Sequence, residues 1–289
     1  MTTGRTPVAD FLRARREQLQ PEDVGLPRDP HRRVPGLRRE EVAELAGISP
    51  EYYVRLEQGR DHQPSEQVLA ALGRALRLDD DGVTYLQRAA NVAPFVRFTA
   101  HSPAPTVAAS VQHLLDQWSH TPAYVSDRNH DVLSANATAR ALAPGYLEPG
   151  SNLLLSVFAA GATAERAGDW ELTARSLVDS LRFNGDPTDQ RLREIVGTLS
   201  VSDRLFRRMW ADHNAKPLTS GITPAYVEPL GWVQFNFQTL EIPGQRGQFL
   251  TTFFGAAGSR AALAISYLAA GIESPETPPA ASTSRDIAS

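Results

Sequence analysis

The segment Leu45–Gly59, LAGISPEYYVRLEQG, constrains the fold more than any other stretch of the chain. An apolar pattern at helical spacing (Leu37, Val42, Leu45, Ala46) stops at Gly47, and a second helical run begins at Pro50. A corner this short needs positive φ, which glycine supplies at the least steric cost. Ala43, one turn earlier, lets the two helices approach closely. Ser49 is placed to cap the second helix, and Pro50 falls in its first turn, where a missing N–H does no harm. Two helices joined this way meet at a steep angle, the geometry of a helix-turn-helix. Tyr53 and Leu56 then face inward with Ile48. Ser49, Pro50, Glu51, Tyr52 and Arg55 face outward, toward a major groove. The adjacent tyrosines therefore have different tasks, Tyr53 structural and Tyr52 on the surface.

The flanking sequence extends this corner into an all-α domain of five helices over residues 1–90. The pattern places helices at Asp10–Gln20, Leu37–Ala46, Pro50–Gln58 and Ser65–Leu78, the last capped by Ser65, and a further one capped by Asp81 and ending near Ala90. Residues 91–106, with three prolines, read as a linker. Residues 107–272 read as an α+β domain. Val107–Trp118 is helical, followed by a strand at Ala123–Ser126, a polar turn at Asp127–His130, a strand at Val132–Ala135 and a helix from Ala137. Leu153–Ala215 is mostly helical, broken at FNGDPTD. Tyr226–Phe254 alternates as three antiparallel strands with turns at Pro229–Gly231 and Pro243–Gly247, and Ser259–Ala270 closes with a helix. The composition of residues 273–289 is that of a disordered tail.

Charge and motif content narrow the functional classes. A net charge of −4 argues against non-specific coating of nucleic acid but not against a local basic face. Such a face is legible from Arg13 to Arg39, where eight arginines oppose four acids. Lys216 is the single lysine among 29 basic residues, a bias expected of a GC-rich genome. The absence of cysteine excludes disulfides, thiolate metal sites and thiol nucleophiles, and fits a reducing cytoplasm. The N-terminus has no secretory pattern and no apolar run reaches membrane-spanning length. The seven histidines are scattered without metal-ligand spacing, and G-x-S-x-G, Walker A and G-x-G-x-x-G are missing. No catalytic or metal site is therefore expected, and Asp127, His130 and Asp131 read as a solvated turn.

RREEVAELAGISPEYYVRLEQGRDHQPS resembles the helix-turn-helix of the XRE, or lambda-repressor-like, class. More narrowly, VPGLRREEVAELAGIS, YYVRLEQGR and PSEQVLAALGRALRLDDD resemble the MmyB-like regulators over residues of about 8 to 90. A weaker likeness continues through LVDSLR, LFRRMWADHN, Thr219–Gly221 and the final strands. The resemblance implies a C-terminal PAS-like ligand-binding domain and a fatty-acid-like ligand. It also places Ser49, Glu51, Tyr52 and Arg55 at base edges, Arg39 at a phosphate, and Arg16 with Glu57 in an ion pair between the first and third helices.

The expected DNA-binding set is therefore Arg32, Arg33, Arg38, Arg39 and Arg60 at phosphates and Ser49, Glu51, Tyr52 and Arg55 at bases, with a Glu51–Arg55 pair as the competing task for Arg55. In the second domain Trp170, Phe206, Trp210, Trp232, Phe235 and Phe237 are apolar. Singly each is more often core than pocket lining; as a group they suggest a ligand cavity, with Asn136, His213 and Asn214 as polar candidates. Together these imply a cytoplasmic transcription regulator, with repression preferred over activation. It binds an operator as a homodimer with half-sites about 34 Å apart and takes a small apolar or fatty-acid-like effector, without other cofactor or membrane. The alternatives are a DNA-binding module fused to an enzyme, or to a ligand-free dimerisation or partner-binding domain.

Overall fold

The computed structural model describes residues 6–27, 32, 34, 36–60, 64–90, 106–161 and 170–273. Arg33, the expected linker apart from Thr106, and the tail beyond Glu273 lie outside the described residues.

Local capping sets the helices of the first domain: α1 (Pro7–Gln18), α2 (Arg39–Ala46), α3 (Pro50–Glu57), α4 (Glu66–Ala75) and α5 (Asp80–Ala90). The first helix starts earlier than expected, because the Thr6 hydroxyl accepts from the Ala9 N–H and Pro7 takes the first helical position. Ser49 and Ser65 cap α3 and α4 by accepting from the N–H groups of Tyr52 and Val68. The cap of α5 is Asp79 rather than Asp81; its Oδ1 accepts from the Gly82 N–H at 2.9 Å. Leu37 precedes α2 instead of belonging to it, and is fully buried with its N–H held by the Arg16 carbonyl at 2.9 Å. Gly47 has φ 65°, and a Cβ there would meet nothing within 4 Å, so the corner needs glycine for conformation rather than for space. Phe11, Leu12, Val42, Ala43, Tyr53, Leu56, Leu69, Leu72 and Leu86 form the core on which all five helices converge.

The second domain runs α6 (Ala109–Gln117), β1 (Ala123–Asp127), β2 (Val132–Ala135), α7 (Ala137–Leu142), α8 (Leu153–Gly161), α9 (Trp170–Asn184), α10 (Gln190–Ser202), α11 (Arg204–Ala211), β3 (Ser220–Val227), β4 (Gly231–Glu241), β5 (Gln248–Phe254) and α12 (Arg260–Glu273). Its strands form one antiparallel sheet in the order β2-β1-β5-β4-β3. β3 begins at Ser220, not at the expected Tyr226. Pro224 obscured it, since proline inside a run argues against a central strand, but β3 is an edge strand, where proline is tolerated. Leu115 of α6 packs with Ala123, Val125 and Leu250 on one side of the sheet. The alternate residues Tyr124, Phe235 and Phe253 meet α7, α8 and α12. α8–α11 add a helical layer around Phe158, Leu177, Val178, Leu181, Ile195, Leu199, Phe206 and Met209.

The turn between β1 and β2 is not solvated, which corrects the expectation. Asn129 and His130 are buried beneath α9 and α10, which supply the hydrogen bonds that water otherwise would. Asn129 Nδ2 donates to Asp189 Oδ2 at 2.7 Å, His130 Nε2 lies 3.2 Å from the Leu177 carbonyl, and Arg191 clamps Asp131 at 2.7 and 2.8 Å. Burial pushes the Asp127 carboxyl up to about 6 and the His130 imidazole down to about 4.

The two domains dock directly. Phe183 at the end of α9 enters the core of the helical domain, beside Tyr85 with ring centroids 6.3 Å apart and under the Arg88 guanidinium at 5.0 Å. Around it, Arg15 Nη2 donates to Asn214 Oδ1 at 3.0 Å, Gln18 Nε2 to the Asp212 carbonyl at 2.8 Å, and Lys216 pairs with Asp79 at 3.0 Å.

Candidate functional site

The first surface is the outer side of α3. Ser49, Glu51 and Arg55 are exposed and Tyr52 is half-buried, while Tyr53, Leu56 and Glu57 are buried behind them. Docking of the second domain leaves this face open, because the seam uses α1, α5 and Asp79. The Arg55 guanidinium lies 5.3 Å from the centre of the Tyr52 ring, within reach of a cation–π contact. Arg38, Arg39 and Arg60 are also exposed, interspersed with Glu40, Glu44 and Glu51. A helix N-terminus with exposed arginine and hydroxyl groups of this kind can meet base edges and phosphates together.

Buried ion pairs hold that helix in place. Glu57, 2% exposed at the side chain, receives Arg16 Nε at 2.6 Å and Arg39 Nε on its other oxygen. Arg16 also donates to the Leu37 carbonyl at 3.0 Å, so one carboxylate joins α1, the start of α2 and α3. Arg32 forms a second strut. Its guanidinium chelates Glu41 and donates to the Gly36 carbonyl, and hydrogen bonding from Arg32 lowers the Glu41 carboxyl below its usual range.

The second site is a cavity of about 550 Å³, within the size range of small-molecule sites. β1, β3, β4 and β5 form one wall with Tyr124, Gly221, Phe235, Phe237 and Phe253. α7–α9 and their connections form the other with Leu142, Tyr146, Leu147, Leu153, Trp170 and Leu177. A Cβ on Gly221 would fall 2.9 Å from the Phe237 ring, so that ring depends on the glycine. Thr173, Ser176, Ser220, Thr223 and Thr251 supply hydroxyls, and no charged side chain lines the cavity among the described residues. At the rim Tyr226 and Trp232 meet edge to face, 5.7 Å apart, both more than half exposed.

Residues 107–268, more than half of the chain, match the MmyB-like transcription regulator ligand binding domain. The chain belongs to the MmyB-like transcription regulators. Residues 8–86 match a helix-turn-helix domain, the same helices that the capping residues and the Gly47 corner delimit. Among curated proteins no relative matches the chain. The protein is thus a DNA-binding transcription regulator with a ligand-binding domain, as the sequence resemblance implied.

The MmyB-like regulator brings together only part of the residues expected at its sites. Ser49, Glu51, Arg55, Arg38, Arg39 and Arg60 are exposed and Tyr52 is half-buried beneath the Arg55 guanidinium, while Arg39 also pairs with the buried Glu57. Arg32 is corrected: with its side chain 9% exposed, it braces Glu41 instead of facing solvent. Trp170, Trp232, Phe235 and Phe237 line the cavity. Asn136 does not; it caps α7, and its side chain bonds Ala123, Ala139, Trp118 and Thr121. Phe206 is solid core between Phe158 and Trp210. Trp210 lies under the Arg182 guanidinium at 3.8 Å, and His213 and Asn214 belong to the interdomain segment, Asn214 bonding Arg15 across the seam. Sequence reasoning missed Tyr124, Tyr146 and Phe253. The alternation of Tyr124 and Phe253 in their strands was visible, but the face they share was not, and Tyr146 lies in the connection between α7 and α8, which has no such pattern.

Proposed function

We propose that this regulator is a cytoplasmic homodimer that represses its operator and releases or tightens on it as a small apolar effector, fatty-acid-like in character, occupies the cavity. The observation that supports this reading is the cavity itself: about 550 Å³, walled by aromatic and aliphatic side chains, with Ser220 and Thr223 among the hydroxyl residues of its lining. An acyl chain fits the walls. Its carboxylate would sit toward the rim near Tyr226 and Trp232, where water can solvate it, because a charge buried without a partner is costly. Catalysis is not part of the proposal: the hydroxyls of the lining have no histidine or carboxylate among the described lining residues to activate them.

The test is native mass spectrometry of the purified chain, followed by titration of delipidated protein with dodecanoic acid while affinity for a selected duplex is measured. Co-purified lipid, saturable binding and a changed duplex affinity are expected. Repeated purification without any bound small molecule, and no binding of the acid, would instead favour a domain that only dimerises or binds a partner protein. Turnover of an acyl ester by the full chain would point to the enzyme alternative.

A further inference from the structure

The two sites are joined by one helix. Leu172, Thr173, Ser176 and Leu177 of α9 line the cavity, and Phe183, at the other end of the same helix, is inserted in the core of the helical domain. The separation from Leu177 to Phe183 is about 9 Å along the axis, and an α-helix over that span moves as a rigid body. Phe183 rests on Tyr85 of α5 and beneath Arg88. Tyr85 packs edge-on against Phe11 of α1, 4.9 Å away, and α1 carries the Arg16 that anchors Glu57 of α3. Beside Phe183, Arg182 is stacked on Trp210 and donates to its carbonyl, which ties this end of α9 to α11. Trp210 in turn stacks on Phe206, Phe206 meets Phe158, and Phe158 meets Trp170 at the cavity wall. Ala215 is the other second-domain residue buried in that core, and Arg182 also hydrogen-bonds Tyr85. Arg15–Asn214, Gln18–Asp212 and Lys216–Asp79 are polar contacts across the same seam.

We propose that α9 couples the cavity to the DNA-reading surface, with residues 172–177 registering the occupant and Phe183 as the key that sets the pose of the helical domain. The inference rests on the effector reading above. An occupant that pushes on Thr173, Ser176 or Leu177 displaces α9 along or about its axis. Close packing at Phe183 hands that displacement to α1 and α5, and Arg16–Glu57 keeps α3 moving with them. A ligand shifts DNA affinity only through its different affinity for the two poses, and α9 is where that difference is felt.

A double-variant cycle on the full chain tests this without knowledge of the effector. Ser176→Trp fills the cavity from α9, with Thr173→Phe as a second filling variant. Phe183→Leu keeps apolar volume at the seam but removes the ring under Arg88. Affinity is measured for a duplex selected from a random library by the unmodified protein, with melting curves confirming that each variant is folded. Filling the cavity should change duplex affinity about five-fold or more in the parent chain, and less than about two-fold in the Phe183→Leu background. Asn214→Ala, at the seam but off α9, should leave the five-fold effect in place. An equal effect of filling with and without Phe183 would overturn the assignment of α9 while leaving the effector reading intact. No effect of either filling variant in the parent chain would overturn the effector reading and this inference with it.

Discussion

Replacing Glu57 by alanine strands the Arg16 guanidinium, whose side chain is only 7% exposed. Removing one partner of a buried ion pair typically costs about 3–5 kcal/mol, because the remaining charge stays desolvated. Arg16 retains the Leu37 carbonyl at 3.0 Å and Glu17 Oε1 at 3.3 Å, which places the expected cost near the lower bound, about 3 kcal/mol. Arg39 also loses its partner, but its side chain is 47% exposed and water replaces most of that contact. For a helical domain of this size about 3 kcal/mol corresponds to a melting shift of about 12–24 °C. Circular dichroism of the full chain measures it, and Glu57→Gln, which preserves an acceptor, should lose less. The double variant Arg16→Met, Glu57→Leu should recover much of the loss, since no charge is then buried. Base preference in a selection experiment should not change. A melting point within about 3 °C of the parent for Glu57→Ala would refute the reasoning that this carboxylate fixes α3.

Arg55→Ala should relax preference at one base pair by about 1–3 kcal/mol, read by selection on randomised duplexes. Arg38→Ala should instead weaken all duplexes alike and reduce the salt slope by about one. Arg32→Ala should lower the melting temperature, because Glu41 loses its chelate, yet leave the salt slope unchanged; a shallower slope would restore Arg32 to phosphate contact. The buried turn gives opposing pH effects. Asp127 is held protonated up to about 6 when folded, against an ordinary value of 3.8, so its contribution favours folding at low pH and is lost as pH rises from about 4 to about 6. His130, held neutral down to about 4 against 6.5, loses stability in the other direction, as pH falls through that same window. Asp127→Asn should therefore raise the urea midpoint at neutral pH, leave it unchanged below about pH 4, and make stability climb more steeply with pH between.

The helical domain was largely legible because its signals are local. Ser49, Ser65, Gly47 and the periodic apolar positions each act within one turn of themselves, and they fix both helix ends and the face that α3 presents. The fate of Arg32 was less legible: its partner Glu41 lies nine residues on, in α2, and a basic run reads alike whether it braces or binds. In the second domain, Asn136 was found as a conspicuous polar residue at a helix start, and capping is its task. The aromatics divided because burial is decided by neighbours distant in the chain. Phe235 and Phe237 look into the cavity from β4, whereas Phe206 and Trp210 look away from it toward the bundle and the seam. The domain seam itself had no sequence signature, since Phe183 reads as the last apolar residue before a break and not as a residue of the neighbouring core.

The central claim is that the polar side of α3 reads DNA while the second domain packs behind it. It is tested most directly by combining Glu51→Ala, Tyr52→Ala and Arg55→Ala in the full chain and comparing its affinity for the selected duplex and a scrambled one. None of the three residues is buried, so the fold should persist. The two affinities should become equal, a loss of about 10³-fold or more for the selected duplex. Retention of the parent's preference for that duplex would contradict the account.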